Sequence, residues 1–175
     1  MCPGACKDRL ADAIARHGRV PIVQRRRTAH PEDPIFRLRG EAPFWAAGGL
    51  IHDGHGAVVL VRAARRSTGR LWSTPGGLLE EGETVDEGLR REVREEVGIA
   101  LRDTTLSRIF NETIVGGSQI RHGYFAQFTA GAASAVLRLG REEAEARWFR
   151  ELPSDLAFRE DYVEDFARIR DAARF

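Results

Sequence analysis

The chain has 175 residues, a length that fits one domain of ordinary size. Its 42% hydrophobic and 30% charged residues exclude a disordered, collagen-like or disulfide-dense chain. The net charge of +1 argues against a general nucleic-acid binder, because such proteins carry an excess of cations that neutralise phosphates.

The sequence shows neither a membrane span nor a secretion signal. No stretch approaches the ~18 apolar residues of a membrane helix, and the N-terminus lacks a basic segment followed by an apolar one. Cys2 and Cys6 have no third or fourth cysteine to complete a zinc site, so we expect reduced thiols. We therefore expect a cytoplasmic protein without a membrane partner.

The first forty residues have an irregular pattern. An amphipathic helix is predicted over residues 7–17, a strand over residues 20–24 and another short strand over residues 36–39. Three consecutive arginines at positions 25–27 could bind phosphate or RNA. A solvated basic edge is the preferred interpretation, because no aromatic residues accompany them.

We assign residues 1–40 to an N-terminal extension and residues 41–175 to the main domain. Whether the extension mediates a homodimer stays open. In the main domain strands are interleaved with helices, which predicts an α/β or α+β fold with a mixed sheet covered by helices. The predicted strands cover residues 44–52, 57–63, 106–114, 119–129 and 146–149, and the predicted helices cover residues 85–97 and 159–174.

The helix predicted over residues 85–97 has well-defined ends. Thr84 followed by Glu87 forms a capping box at its start, and Gly98 fits the left-handed position that ends a helix. A buried row is predicted at every fourth residue, at Leu89, Val93 and Val97.

Three carboxylates share the strip beside that row. Glu92, Glu95 and Glu96 stand at i, i+3 and i+4, so their like charges destabilise one another unless a cation compensates. One interpretation is a surface helix whose neighbouring arginines balance the glutamates. The other is a site for a hard divalent cation, since Mg²⁺ prefers carboxylate oxygens and bridges to phosphate oxygens.

A longer pattern contains these glutamates and resembles a known family. It reads Gly77, five residues, Glu83, seven residues, and then Arg91-Glu92-Val93-x-Glu95-Glu96-x-Gly98-Ile99. This pattern resembles the Nudix box at every defining position, and Trp72-x-x-Pro75-Gly76-Gly77 is similar to the family's usual lead-in. The resemblance implies the Nudix α/β/α sandwich with a mixed β-sheet. One departure is Gly88, where the family more often has alanine.

The resemblance also implies roles for individual residues. Glu83 and Arg91 correspond to a pair that ties the loop to the helix. A base must take a proton from the attacking water, and we favour Glu92 for this role. The expected ion is Mg²⁺, with Mn²⁺ as a substitute. Its ligands correspond to the carboxylates of Glu92, Glu95 and Glu96 and the backbone carbonyl of Gly77.

Four weaker candidates lie outside the box. Glu142 and Glu145, just before a predicted strand, are loop carboxylates that could serve as the base or contact substrate, although each also fits a solvated acidic turn. Arg62 could reach a substrate phosphate, and a surface ion pair explains it equally well. Trp72 could stack a base, although core packing is the default for an aromatic residue near a strand.

The activity that the resemblance implies is hydrolysis of a phosphoanhydride bond in a nucleoside diphosphate linked to a further group, X. Nucleoside triphosphates and nucleotide sugars are the favoured substrates. The alternative is a nucleotide-sensing Nudix module that binds without cutting and has a nucleic-acid or protein partner. The intact box argues against this alternative.

Overall fold

The computed structural model describes residues 5–40, 42–64 and 71–174. Cys2 and the side chain of Cys6 lie outside the described part, so their state as reduced thiols stays a prediction. No described helix has the length and apolar character needed to cross a membrane.

The described helices are α1 (Ala5–His17), α2 (Val85–Val97) and α3 (Val163–Ala172), with 3-10 helices at Pro34–Arg37 and Arg159–Tyr162. The strands are β1 (Ile22–Thr28), β2 (Phe44–His52), β3 (Val58–Ala63), β4 (Gly76–Leu78), β5 (Leu101–Gly116), β6 (Gln119–Ala132) and β7 (Glu143–Phe149).

The described strands form one mixed sheet. They follow the order β1-β5-β6-β2-β3-β7, and β4 pairs with β2 off this path. β1 runs parallel to β5 and β2 runs parallel to β6, whereas the other pairs are antiparallel. Two strands pair with the same edge of β2: β4 pairs with residues 46–48, and β3 pairs with residues 51–52. This sharing places β4 beside β2, directly before the loop that leads into α2.

Helices cover both faces of the sheet. Along β2, Trp45, Ala47 and Ile51 belong to the core beneath α1 and α2, whereas Leu50 packs with α3 on the opposite face. The alternation follows from the two-residue period of a strand. The residues of the predicted row on α2 are buried in the first core. The predicted α/β/α sandwich with a mixed sheet is confirmed.

Two predicted elements differ from the structure. The strand expected over residues 36–39 is wrong, because this region contains the 3-10 helix Pro34–Arg37. Asp33 accepts a hydrogen bond from the Ile35 amide at 3.0 Å, and a proline fits the first helical position. The final helix, expected to be continuous over residues 159–174, is divided into a 3-10 helix and α3.

The described residues of the N-terminal stretch, from residue 5 to residue 40, pack into the same fold. β1 pairs with β5 along all 7 of its residues, so the strand continues through the arginines instead of ending at residue 24. In addition, Arg9 of α1 donates hydrogen bonds to the backbone carbonyls of Glu80 and Glu83 at 2.7 and 3.1 Å. This N-terminal stretch therefore supplies a strand of the central sheet and supports the loop before α2.

The arginine run is not a solvated edge, contrary to the interpretation from sequence. Arg25 lies opposite Glu112 of β5, and its guanidinium donates to that carboxylate, whose side chain is 3% exposed. Asp161 accepts a further hydrogen bond from Arg25. Because side chains alternate along a strand, Arg25 and Arg27 share this inward face, whereas Arg26 is exposed. The sequence pattern alone could not distinguish these two faces.

We expect Glu112→Ala to lower the free energy of unfolding by about 3 kcal/mol, because it removes one of the two carboxylates that balance the largely buried Arg25 charge. Urea denaturation followed by tryptophan fluorescence measures the change. Arg26→Ala, on the exposed side of the same strand, is the matched control and should change stability by less than about 0.5 kcal/mol. Equal effects of the two substitutions would contradict the buried pair.

Candidate active site

Both predicted caps fix the ends of α2. Thr84 Oγ1 accepts a hydrogen bond from the Glu87 amide at 3.2 Å, and the Glu87 carboxylate accepts one from the Thr84 amide at 2.9 Å. Gly98 adopts a φ of 71°, and its N–H donates to the Arg94 carbonyl. The capping box and the left-handed end are therefore confirmed. With the apolar row buried, the strip of glutamates lies next to β4.

The structure also explains Gly88, the departure from the family pattern. A Cβ at this position would lie 2.8 Å from Cγ of Leu79. Glycine therefore lets the loop before α2 pack directly on the helix. The closer packing offsets a helix-propensity cost of about 1 kcal/mol relative to alanine.

The glycines of β4 bring backbone into direct contact with two of the carboxylates. A Cβ on Gly77 would lie 2.7 Å from the carboxyl carbon of Glu92, so the carboxylate in this position uses the space that glycine leaves free. The Gly76 amide donates a hydrogen bond to the Glu96 carboxylate at 2.9 Å. Gly76 has a φ of 145°, and a Cβ there would lie 2.3 Å from the Ala47 carbonyl oxygen of β2. Gly76 therefore requires the absence of a side chain, because the atom in the way belongs to the backbone.

Arg91 joins the loop to the helix through a two-pronged contact with Glu83. Its Nε and Nη2 atoms donate to the two carboxylate oxygens of Glu83 at 2.7 and 3.0 Å. Its Nη1 atom also donates to Glu92 at 2.8 Å and to Glu95 at 3.2 Å. Such a fork-to-carboxylate pair fixes both distance and orientation. The pair expected from the resemblance is therefore present in the structure.

The two glutamates beside Arg91 differ in their electrostatic surroundings. The hydrogen bonds from the Arg91 guanidinium lower the pKa of the Glu83 carboxyl below its usual value. Burial instead raises the pKa of the Glu92 carboxyl, and the contact with Arg91 offsets this only in part. The largely buried carboxylate of Glu92 therefore has its charge only partly compensated by Arg91.

The donor set fits a hard divalent cation in its chemistry. Glu92, Glu95 and Glu96 carry carboxylate oxygens on neighbouring turns of α2, and the Gly77 backbone lies against the Glu92 carboxylate. Within the described ranges, no three His, Cys, Asp or Glu side chains already converge on one point. The Glu95 side chain is 61% exposed, compared with 17% for Glu92, and it faces Arg91. The residues suit the ion, and their assignment as ligands is a proposal.

The four weaker candidates lie elsewhere in the fold. Arg62 forms ion pairs with Glu145 at 3.3 Å and with Asp155 at 3.2 Å, and its guanidinium stacks 4.2 Å from the Trp72 ring. Trp72 is only 5% exposed and packs in the core beneath α3. Glu145 belongs to β7, so its expected place in a loop is wrong, and Glu142 is exposed just before that strand. None of the four lines the cleft described next. Glu92, Glu95 and Glu96 do not line it either, but Gly76 and Gly77, which contact Glu96 and Glu92, do.

A cleft of about 410 Å³ extends from the glycines of β4 across the sheet. Its floor includes Phe44 of β2, Phe125 of β6 and Glu112 of β5, and it ends at the inward-facing arginines of β1. Its walls are the 3-10 helix Pro34–Arg37, residues 73–78 and residues 157–162. This volume falls within the range of sites for small molecules.

One hydrogen bond joins two walls of the cleft. The hydroxyl groups of Tyr162 and Thr74 lie 3.0 Å apart and share a hydrogen bond. Burial raises the pKa of Tyr162 to about 12, so the hydroxyl stays protonated at neutral pH. Arg25, Arg27 and Glu112 were missed as cleft residues. The two-residue spacing of Arg25 and Arg27 indicates that they share one face of a strand, but it does not show which face meets the core, and Glu112 lies on another strand.

A family model described as the NUDIX domain matches residues 42–164. The match covers the box, the sheet from β2 to β7 and the start of α3. The chain belongs to the Nudix family. The Nudix match begins after β1, although β1 is paired in the same sheet.

Individual relatives and one solved structure support this assignment. The chain is 32% identical over 144 residues to the mouse protein named 8-oxo-dGDP phosphatase NUDT18, covering 80% of this chain and 43% of that protein. It is 32% identical over 121 residues to the human NUDT18, covering 67% of this chain and 36% of that protein. The chain therefore spans about two fifths of the length of these curated relatives. The crystal structure of a MutT Nudix hydrolase from Burkholderia pseudomallei superposes with a TM-score of 0.57 and 25% identity, over 77% of this chain and 98% of that one.

We expect Glu83→Gln to reduce stability at pH 7 and to have progressively less effect in acid. The folded protein lowers the pKa of Glu83, so the stabilisation is present above the unfolded value of about 4.3 and is lost as the pH falls through the folded value. Urea denaturation at a series of pH values measures this. Glu81→Gln, on an exposed neighbour, is the control. A pH-independent difference between Glu83→Gln and the wild type would show that the ion pair with Arg91 is not its source.

Proposed function

We propose that this Nudix protein is a divalent-metal-dependent pyrophosphohydrolase acting on a nucleoside diphosphate linked to a group X. The observation that carries the proposal is the Glu92 carboxylate, which is packed against the Gly77 backbone at the end of a cleft of about 410 Å³. Carboxylate oxygens packed against backbone at the end of a cleft suit a cation that also contacts phosphate. The name of the mouse relative, 8-oxo-dGDP phosphatase, favours nucleoside diphosphates and triphosphates as the first substrates to test.

The ligands in this proposal are Glu92, Glu95, Glu96 and the Gly77 carbonyl, with Mg²⁺ as the ion and Mn²⁺ as a substitute. When bound, such an ion neutralises phosphate oxygens and lowers the pKa of a water molecule. Side chains of the protein hold the reacting groups in place. Arg91 holds the loop through Glu83 and keeps one N–H on Glu92, which fixes the carboxylate beside β4.

Glu92 is the proposed general base. Its carboxylate is largely buried, and the Gly77 backbone restricts it on one side. In this role it takes a proton from the water that attacks a phosphorus atom, and the phosphoanhydride oxygen leaves with the nucleotide or with X. Positioning of the base close to the attacking water contributes to the rate along with its basicity.

A hydrolysis screen of nucleotides tests the activity. The panel contains nucleoside triphosphates, nucleoside diphosphates, 8-oxo-dGDP and nucleotide sugars, each with Mg²⁺, with Mn²⁺ and with a chelator, and the readouts are phosphate, pyrophosphate and the nucleotide product. We expect metal-dependent release from at least one nucleotide. Nucleotide binding without release from any of them would support the sensing module instead.

We expect Glu95→Gln and Glu96→Gln to reduce kcat by at least about a hundredfold while the fold persists, because each removes a proposed ligand charge. Circular dichroism checks the fold, and calorimetric titration with Mn²⁺ measures the loss of metal binding independently of turnover. The control is Glu81→Gln, which removes an exposed carboxylate from the loop before α2. Wild-type turnover and Mn²⁺ affinity in both ligand variants would refute the assignment.

A further inference from the structure

The two ends of the cleft lie at opposite sides of the sheet. Gly76 and Gly77 of β4 lie at one end, next to the carboxylates of α2, and the arginines of β1 lie at the other. Four strand spacings separate β4 from β1 through β2, β6 and β5, which is about 19 Å. If the phosphates of a nucleotide lie at the β4 end, its base extends over β6 and β5 toward β1.

Phe158 occupies a strained position in the wall near β1. It is the one non-glycine residue of the described ranges with a positive φ, at 54°. A bulky residue rarely adopts this left-handed conformation, and such strain is retained mainly where function requires it. Its ring is 46% exposed and lies 4.7 Å from the guanidinium carbon of Arg25 and 5.7 Å from that of Arg27. An exposed aromatic ring with a guanidinium group close by is suited to stacking with a planar base.

The two arginines of this wall differ in how many of their donors are used. Arg25 donates to Glu112 and Asp161 and stacks 3.9 Å from the Phe110 ring. The Nε atom of Arg27 is buried and faces the Glu112 carboxylate at 3.7 Å, so it is closed to a ligand. The side chain is nevertheless 26% exposed and lines the cleft, and no hydrogen bond within the described part of the chain uses its two Nη atoms. These Nη atoms are therefore the donors that a ligand can use.

A guanidinium group donates hydrogen bonds and accepts none, so it selects an edge that carries acceptors. Guanine presents two neighbouring acceptors, O6 and N7, whereas adenine presents an N6 donor beside N7. Arginine contacts the guanine edge with two parallel hydrogen bonds. The free donors of Arg27 thus favour guanine over adenine at this end of the cleft.

We propose that Phe158 stacks on the nucleobase and that Arg27 donates hydrogen bonds to its acceptor edge, which makes the protein selective for guanine nucleotides over adenine nucleotides. This inference rests on the proposed function, because it assigns the base-binding end of the same cleft. It makes Arg27 a specificity-determining residue that has no part in the hydrolytic step.

The test compares dGDP with dADP in hydrolysis and dGMP with dAMP in calorimetric binding. We expect the wild type to favour guanine in both, and Arg27→Gln to lower the guanine-to-adenine ratio of kcat/KM and of affinity by about tenfold or more, since an amide also pairs well with adenine. Arg27→Lys keeps the charge but loses the planar fork, so the ratio should fall there as well. Arg26→Gln, the same change on the exposed neighbour, should leave the ratio unchanged.

Phe158→Leu separates stacking from edge recognition. It removes the ring while keeping an apolar side chain, so affinity for dGMP and dAMP should fall together and the ratio should persist. Melting temperatures of all variants show whether each one is folded.

Two outcomes would overturn the inference. One is a wild type without guanine preference, and the other is an Arg27→Gln variant that keeps the wild-type ratio. If that variant loses kcat/KM equally for both bases, Arg27 is assigned to the phosphates instead. The binding arm needs no turnover, so Arg27-dependent dGMP affinity without hydrolysis would refute the proposed function and leave this inference standing.

Discussion

The contact between the Glu92 carboxylate and the Gly77 backbone is the constraint on which the candidate site depends. A single Cβ at Gly77 would occupy the space of that carboxylate. Pairing of β4 with β2 holds the glycine in place, and the capped helix α2 holds the glutamate. Secondary structure thus fixes the backbone on both sides of the contact, and the hydrogen bond from Arg91 orients the carboxylate between them.

A partly buried arginine surrounded by carboxylates lies at each end of the cleft. Arg91 gathers Glu83, Glu92 and Glu95 at one end, and Arg25 gathers Glu112 and Asp161 at the other. An ion pair in a partly buried place contributes little net stability but is costly to break. Each arginine therefore acts mainly to specify one arrangement of the elements it joins.

The N-terminal stretch takes part in the site although the family match begins after it. β1 adds an outer strand whose inward face carries Arg25 and Arg27, and α1 holds the loop before α2 through Arg9. The far wall of the cleft is thus built from residues that the Nudix match does not include. Differences in such a strand provide a way for one shared catalytic box to meet different substrates.

The local features were predictable from the amino-acid pattern: the ends of α2, its buried row, the strip of glutamates and the glycines of the box. These depend on contacts within a few residues, where spacing fixes geometry. Three further features became visible only in the folded chain: Arg25 is largely buried, Arg62 and Trp72 lie away from the cleft, and β1 forms its far wall. Those outcomes depend on which strand lies beside β5 and which face of it meets the core. Partners distant in sequence, such as Arg25 and Glu112, leave no local pattern because their contact exists only after the sheet has formed.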